Sequence, residues 1–150
     1  MSDKWGTQGP TTFHGVFING FPNLLLAGPI QAGVGANFAD ALAALASHAA
    51  RVVAEAVKRA GDAADRVVIE PTIEAEESWS MQCLSGAAWF TGLSVCTPSY
   101  ISGEGKVRSQ EEMMKMARGS IYSQGLNAFK ELLEEWRADG KMEGMIVATS

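Results

Sequence analysis

From Phe38 to Arg59 apolar residues return at three- and four-residue steps, at Phe38, Ala41, Leu42, Leu45, Ala49, Val52, Val53 and Ala56. Asp40, Ser47, Arg51, Glu55 and Lys58 mark another face. That period predicts one long amphipathic helix, with Asn37 as its N-cap and Gly61 as its stop. At 1.5 Å per residue it runs on the order of 30 Å, the width of a small domain. The rest of a 150-residue chain must therefore pack around it, and the expectation is a single unit over residues 1–150 without an interdomain linker or internal repeat.

Around this helix the pattern predicts short strands. Phe13 to Ile18 reads as a strand ending in an Asn19-Gly20 turn, and Leu24 to Ala27 as a strand buried on both faces. Arg66 to Glu70 reads as a further strand, and Pro71-Thr72 as the start of a helix running through Glu74, Glu76 and Glu77 toward Ala87 or Ala88. Thr91 to Gln110 reads as an irregular stretch, Leu126 to Ala138 as a last helix closed by Asp139-Gly140, and Met145 to Ala148 as a strand. The alternation predicts an α/β fold.

Composition narrows the function classes. Twelve Lys and Arg against seventeen Asp and Glu leave a net charge of −5, with no basic stripe, so nucleic acid is not an expected partner. Cys83, Cys96, His14 and His48 lack the spacing of a zinc site or disulfide framework. No metal is expected, both histidines read as structural, and the expected setting is reducing and cytoplasmic. No apolar run is long enough to suggest membrane insertion, and the opening residues lack a signal-peptide layout.

One local arrangement could carry chemistry. A glycine-containing loop, Gly28 to Gly35, leads into the long helix, whose N-terminus offers unpaired N–H groups and a positive dipole to an anionic ligand. Gly33-Val34-Gly35-Ala36-Asn37-Phe38 has the first two glycines of a dinucleotide fingerprint, but Phe38 stands in place of the third. A tight turn serving structure alone is the competing reading. The Glu74, Glu76, Glu77 group reads as a solvated helix start, and Trp79, Trp89 and Trp136 as core.

The order Gly20-Phe21-Pro22-Asn23-Leu24, Gly28-Pro29 and Ala36-Asn37-Phe38 resembles the C-terminal part of flavin-dependent Baeyer–Villiger monooxygenases and the related flavin-containing monooxygenases. The likeness continues through the acidic segment to Trp79, through Cys96-Thr97-Pro98-Ser99-Tyr100 and Gly103-Glu104-Gly105-Lys106, and into the Leu126 to Trp136 helix. The Cys-Thr-Pro-x-Tyr element is similar to the fungal branch. The resemblance implies a partial FAD/NAD(P)-binding, Rossmann-like domain with FAD and NADPH as cofactors and a ketone or related small molecule as substrate. It also implies roles. Gly28, Pro29, Ala36, Asn37 and Phe38 would lie beside the flavin, Gly33, Val34 and Gly35 would border the ketone, and Tyr100 and Lys106 would contact NADP. In the family NADPH reduces the flavin, and one oxygen of O2 is then inserted beside a carbonyl or onto nitrogen or sulfur.

The family's FAD and NADP fingerprints are not found in the chain, and Phe13-His14-Gly15 begins its F-x-G-x-x-x-H signature only to reach Asn19 at the histidine position. The expectation is therefore part of a monooxygenase, inactive alone and completed by an N-terminal portion. The alternatives are a non-catalytic α/β module acting as an assembly or regulatory partner, and an independent small-molecule-binding domain.

Overall fold

A computed structural model of the chain describes residues 1–87 and 109–149. Among these residues, five α-helices, α1 (Ser2–Gln8), α2 (Phe38–Ala60), α3 (Ile73–Leu84), α4 (Gln110–Arg118) and α5 (Gly125–Ala138), are joined by a 3-10 turn at Gly61–Arg66, another at Ser85–Ala87, and two strands, β1 (Val67–Pro71) and β2 (Met145–Thr149). The strands pair antiparallel, with Val67 opposite Thr149, Ile69 opposite Val147 and Pro71 opposite Met145. This is a mixed α and β fold, and among the described residues the ladder has only these two strands.

α2 forms as its period predicts. Asn37 caps it by accepting from the Asp40 N–H at 3.3 Å, and Gly61 ends it in a conformation with positive φ. Its buried stripe of Ala41, Leu45, His48, Val52 and Ala56 faces Leu126, Phe129 and Leu133 of α5 and the β1–β2 ladder. α3 is capped by Thr72, which accepts from Ala75 N–H at 3.1 Å, and buries Glu76, Trp79, Ser80 and Cys83. α4, not anticipated from the sequence, has a capping box in which Ser109 accepts from Glu112 N–H and the Glu112 carboxylate accepts from Ser109 N–H. No described helix is long and apolar enough to cross a membrane.

Two expected strands are absent as such. Phe13 to Ile18 is deeply buried, but residues 14–16 are turn, and only Phe13 and Phe17 bridge each other. His14 (φ 54°) and Gly15 (φ 72°) both take left-handed backbone, which breaks the extended conformation the apolar run suggested. Leu24 and Leu25 are 40% and 43% exposed, not buried on both faces, and this segment keeps one bridge, Leu25 to Phe17, with Leu26 N–H donating to Val16 at 2.8 Å. Among the described residues no sheet covers it, so the sandwiched strand has no second layer. α1 was not anticipated from the sequence. It is pinned by Lys4 Nζ, which donates to Asn19 O at 2.7 Å and pairs with Glu76 at 2.6 Å.

Candidate functional site

The loop from Gly28 to Asn37 is held from beneath by Gln31. This residue is fully buried with a left-handed backbone (φ 54°). Its Oε1 accepts from the Thr12 N–H at 2.6 Å and the Thr12 hydroxyl at 2.8 Å, while its Nε2 donates to Ser80 Oγ at 2.9 Å and Arg118 O at 2.6 Å. Its own carbonyl accepts from Trp79 Nε1 at 3.0 Å. Buried polar groups must find partners, and one glutamine bonds backbone or side-chain groups of residues 19, 49 and 87 positions away in sequence.

The next residues lie on α5. Gly33 bridges Tyr122, and a Cβ on Gly33 would come within 2.4 Å of the Phe129 Cβ, so only glycine permits this approach. A Cβ on Gly35 would sit 3.4 Å from Leu126, in ordinary contact. Lys130 ties α5 to the first turn of α2 through Asp40, at 2.6 and 2.7 Å. The start of α2 is thereby fixed in place while Gly35, Ala36, Asn37 and Phe38 remain exposed, Phe38 by 47%. The N–H groups of Phe38 and Ala39 lack intrahelical acceptors, and they share this surface with the Asn37 amide.

The structure thus brings Ala36, Asn37, Phe38 and Gly35 to one exposed helix start. Val34 is half-buried beside them, Gly33 is enclosed by Phe129, and Pro29 is exposed with Gly28 half-buried before it. No neighbour lies within 4 Å of where a Gly28 Cβ would be. Tyr100 and Lys106, expected at NADP, lie outside the described residues, as do Trp89 and Cys96.

Beneath the loop lie two groups that sequence reading assigned differently or left aside. Glu76 is not part of a solvated helix start: it is 1% exposed and accepts from Thr11 Oγ1 at 2.5 Å and from the Asn19 N–H, besides pairing with Lys4. Its spacing to Trp79, Ser80 and Cys83 puts it on the inward stripe of α3, a signal present in the sequence. Glu77 meets Arg118 with both oxygens at 2.7 Å.

The second group is a histidine relay. His14 Nδ1 lies 3.3 Å from His48 Nε2, and His48 Nδ1 lies 3.1 Å from an Arg137 guanidinium nitrogen. A guanidinium only donates, so His48 accepts at Nδ1, carries its proton on Nε2 and donates it to His14 Nδ1. Burial, then the Arg137 charge, pushes His48 down to about 3. Burial, then His48 and Arg137, holds His14 well below its usual value. Both imidazoles are buried and neutral at neutral pH. Burial pushes the Cys83 thiol up to about 12, which removes it as a nucleophile at neutral pH.

No protein-family model matches the chain. It is 42% identical over 148 residues to the FAD-binding monooxygenase prhK of Penicillium brasilianum, covering 97% of this chain and 23% of the relative. It is 41% identical over 154 residues to the polycyclic ketone monooxygenase of Thermothelomyces thermophilus, covering 99% and 23%. The crystal structure of that ketone monooxygenase matches with a TM-score of 0.85 at 40% identity, over 98% of this chain and 22% of the other. Cyclohexanone monooxygenase from Rhodococcus sp. Phi1 bound to NADP+ matches with a TM-score of 0.62 at 25% identity, over 99% and 25%. The chain spans less than a quarter of the length of the curated relatives it matches, and in sequence and fold it is similar to one part of fungal FAD-binding monooxygenases.

Proposed function

We infer that this chain forms the C-terminal part of an FAD- and NADPH-dependent monooxygenase that inserts one atom of O2 beside a ketone carbonyl. In this reading it completes a Rossmann-like cofactor domain supplied mainly by other residues. The observation that supports it is the rigid, exposed start of α2, flanked by residues without bulky side chains except Phe38. The flavin fits there in part. Two free N–H groups and a helix dipole suit an electron-rich ring edge, whereas no glycine cradle for a pyrophosphate occurs in the sequence.

When bound, reduced FAD supplies the oxygen-activating chemistry. The chain's own residues do the placing. Asn37 and the α2 N–H groups would hold the ring edge, Phe38 would present an apolar side chain that excludes water from it, and Gly28 and Pro29 would shape the approach. Val34 and Gly35 border the ketone. Gly33, assigned to that border from the resemblance, is enclosed by Phe129 and acts through the spacing of the loop. Tyr100 and Lys106 remain the proposed NADP contacts.

The test is a chimaera in which this chain replaces the matching segment of the Thermothelomyces ketone monooxygenase. Retained FAD and ketone-dependent NADPH oxidation are expected, and Gly35→Leu should lower ketone kcat/KM about tenfold or more with FAD content unchanged. A folded chimaera that binds no flavin overturns the reading in favour of a non-catalytic assembly module. Equal loss of flavin and turnover in Gly35→Leu overturns the assignment of that residue.

A further inference from the structure

On the far part of α2, 13 residues and about 20 Å along the axis from Phe38, a recess of about 190 Å³ opens between α2, α5 and the segment leading to β2. Arg51, Val52, Glu55, Trp136, Arg137 and Met142 line it. Two guanidinium groups thus share one concavity in a chain of net charge −5, and Arg137 senses Arg51 as a repulsive neighbour. Neither arginine pairs with a carboxylate among the described residues. Glu55, the natural i+4 partner of Arg51, is instead held by Arg59 at 3.1 Å and Lys58 at 3.7 Å.

The support behind Arg137 bears on what the recess takes. Its anchor is His48 Nδ1 at 3.1 Å, a neutral acceptor that fixes the side chain without cancelling its charge. Glu134 acts on it in the opposite sense, less strongly than Arg51. A carboxylate in place of His48 would neutralise the guanidinium; an imidazole leaves its charge without a counter-ion among the described residues. Trp136 is fixed by its Nε1, which donates to Glu143 O at 3.1 Å, and with Val52 and Met142 it gives the recess an apolar wall. The volume is below the roughly 300 Å³ at which drug-sized ligand pockets begin, too small for a polycyclic ketone.

We propose that this recess binds a small organic carboxylate, its two oxygens between Arg51 and Arg137 and its apolar body on Trp136 and Met142. The site stands apart from the flavin-facing loop and does not depend on the reading of that loop.

Titration calorimetry of the full chain with benzoate, benzyl alcohol and inorganic phosphate tests it. Saturable one-site binding of benzoate is expected, with benzyl alcohol weaker by about tenfold or more. Arg51→Gln, at an exposed position, should weaken benzoate by a similar factor and leave the unfolding midpoint unchanged. Arg137→Gln should weaken it too, but removes the His48 partner, so Arg51→Gln is the deciding variant. Absence of saturable benzoate binding, equal binding of benzyl alcohol, or an unaffected Arg51→Gln overturns the proposal. Phosphate binding as tightly as benzoate overturns the organic-carboxylate assignment and leaves a simple anion site.

Discussion

Gln31 shows how much of this molecule depends on a single polar side chain. Gln31→Leu would keep the volume and strand the buried Thr12 N–H and hydroxyl proton and the part-buried Arg118 carbonyl, while the Ser80 hydroxyl keeps its bond to Glu76 O. Each unsatisfied group costs about 1–3 kcal/mol. The variant should lose about 3 kcal/mol or more in urea unfolding, and a loss below about 1 kcal/mol would show the network to be dispensable. The histidines give a second residue-scale outcome. His48 sits at about 3 in the folded chain against an ordinary value of 6.5, so the unfolded chain binds the proton first as pH falls. Stability contributed by keeping it neutral is full above about pH 6.5 and declines toward pH 3, by up to about 1.4 kcal/mol per pH unit. NMR should show the His48 ring shifts constant from about pH 8 to pH 4, and a midpoint near 6.5 would refute the buried relay. Neither network was legible in the sequence. A glutamine between Ile30 and Ala32, and two histidines 34 residues apart, carry no spacing signal, because their partners come from separate elements.

At the scale of elements, legibility followed periodicity. α2 and α5 appeared within a residue or two of their observed bounds because each carries a continuous inward stripe and clear end signals. Leu24 to Ala27 misled because an apolar run of four residues specifies neither conformation nor cover. Phe13 to Ile18 misled because burial there is achieved by a turn whose polar backbone is satisfied locally, by the Thr12 hydroxyl and by the backbone of Phe13 and Phe17. The exposed helix start was legible as residues, yet the clamp that fixes it was not, since it depends on the approach of Gly33 to Phe129. Gly33→Ala should destabilise by about 1–3 kcal/mol through overpacking at that contact. Asn37→Ala, which removes only the cap of α2, should cost about 1 kcal/mol. Thermal unfolding distinguishes them, and Gly33→Ala melting at the wild-type temperature would show that α5 yields to the loop.

For the whole molecule, several large apolar side chains are exposed among the described residues. Leu24, Leu25, Phe38, Ile73, Met81, Met113 and Met114 are all exposed, Met114 by 67%. Single exposed apolar residues are ordinary, but Met113 and Met114 lie on α4, which packs beside α3 carrying Met81 and Ile73. In relatives more than four times as long, further chain is available to cover such surface. The isolated 150-residue chain should therefore bind 8-anilinonaphthalene-1-sulfonate while retaining native near-UV circular dichroism, which distinguishes a sticky native surface from a molten state. Met81→Lys combined with Met114→Lys should reduce that fluorescence with a stability change within about 0.5 kcal/mol, as expected of exposed sites. Dye binding that survives the double substitution would place the apolar surface elsewhere, and dye binding accompanied by loss of the near-UV signal would show that the chain needs a further covering surface to hold its core.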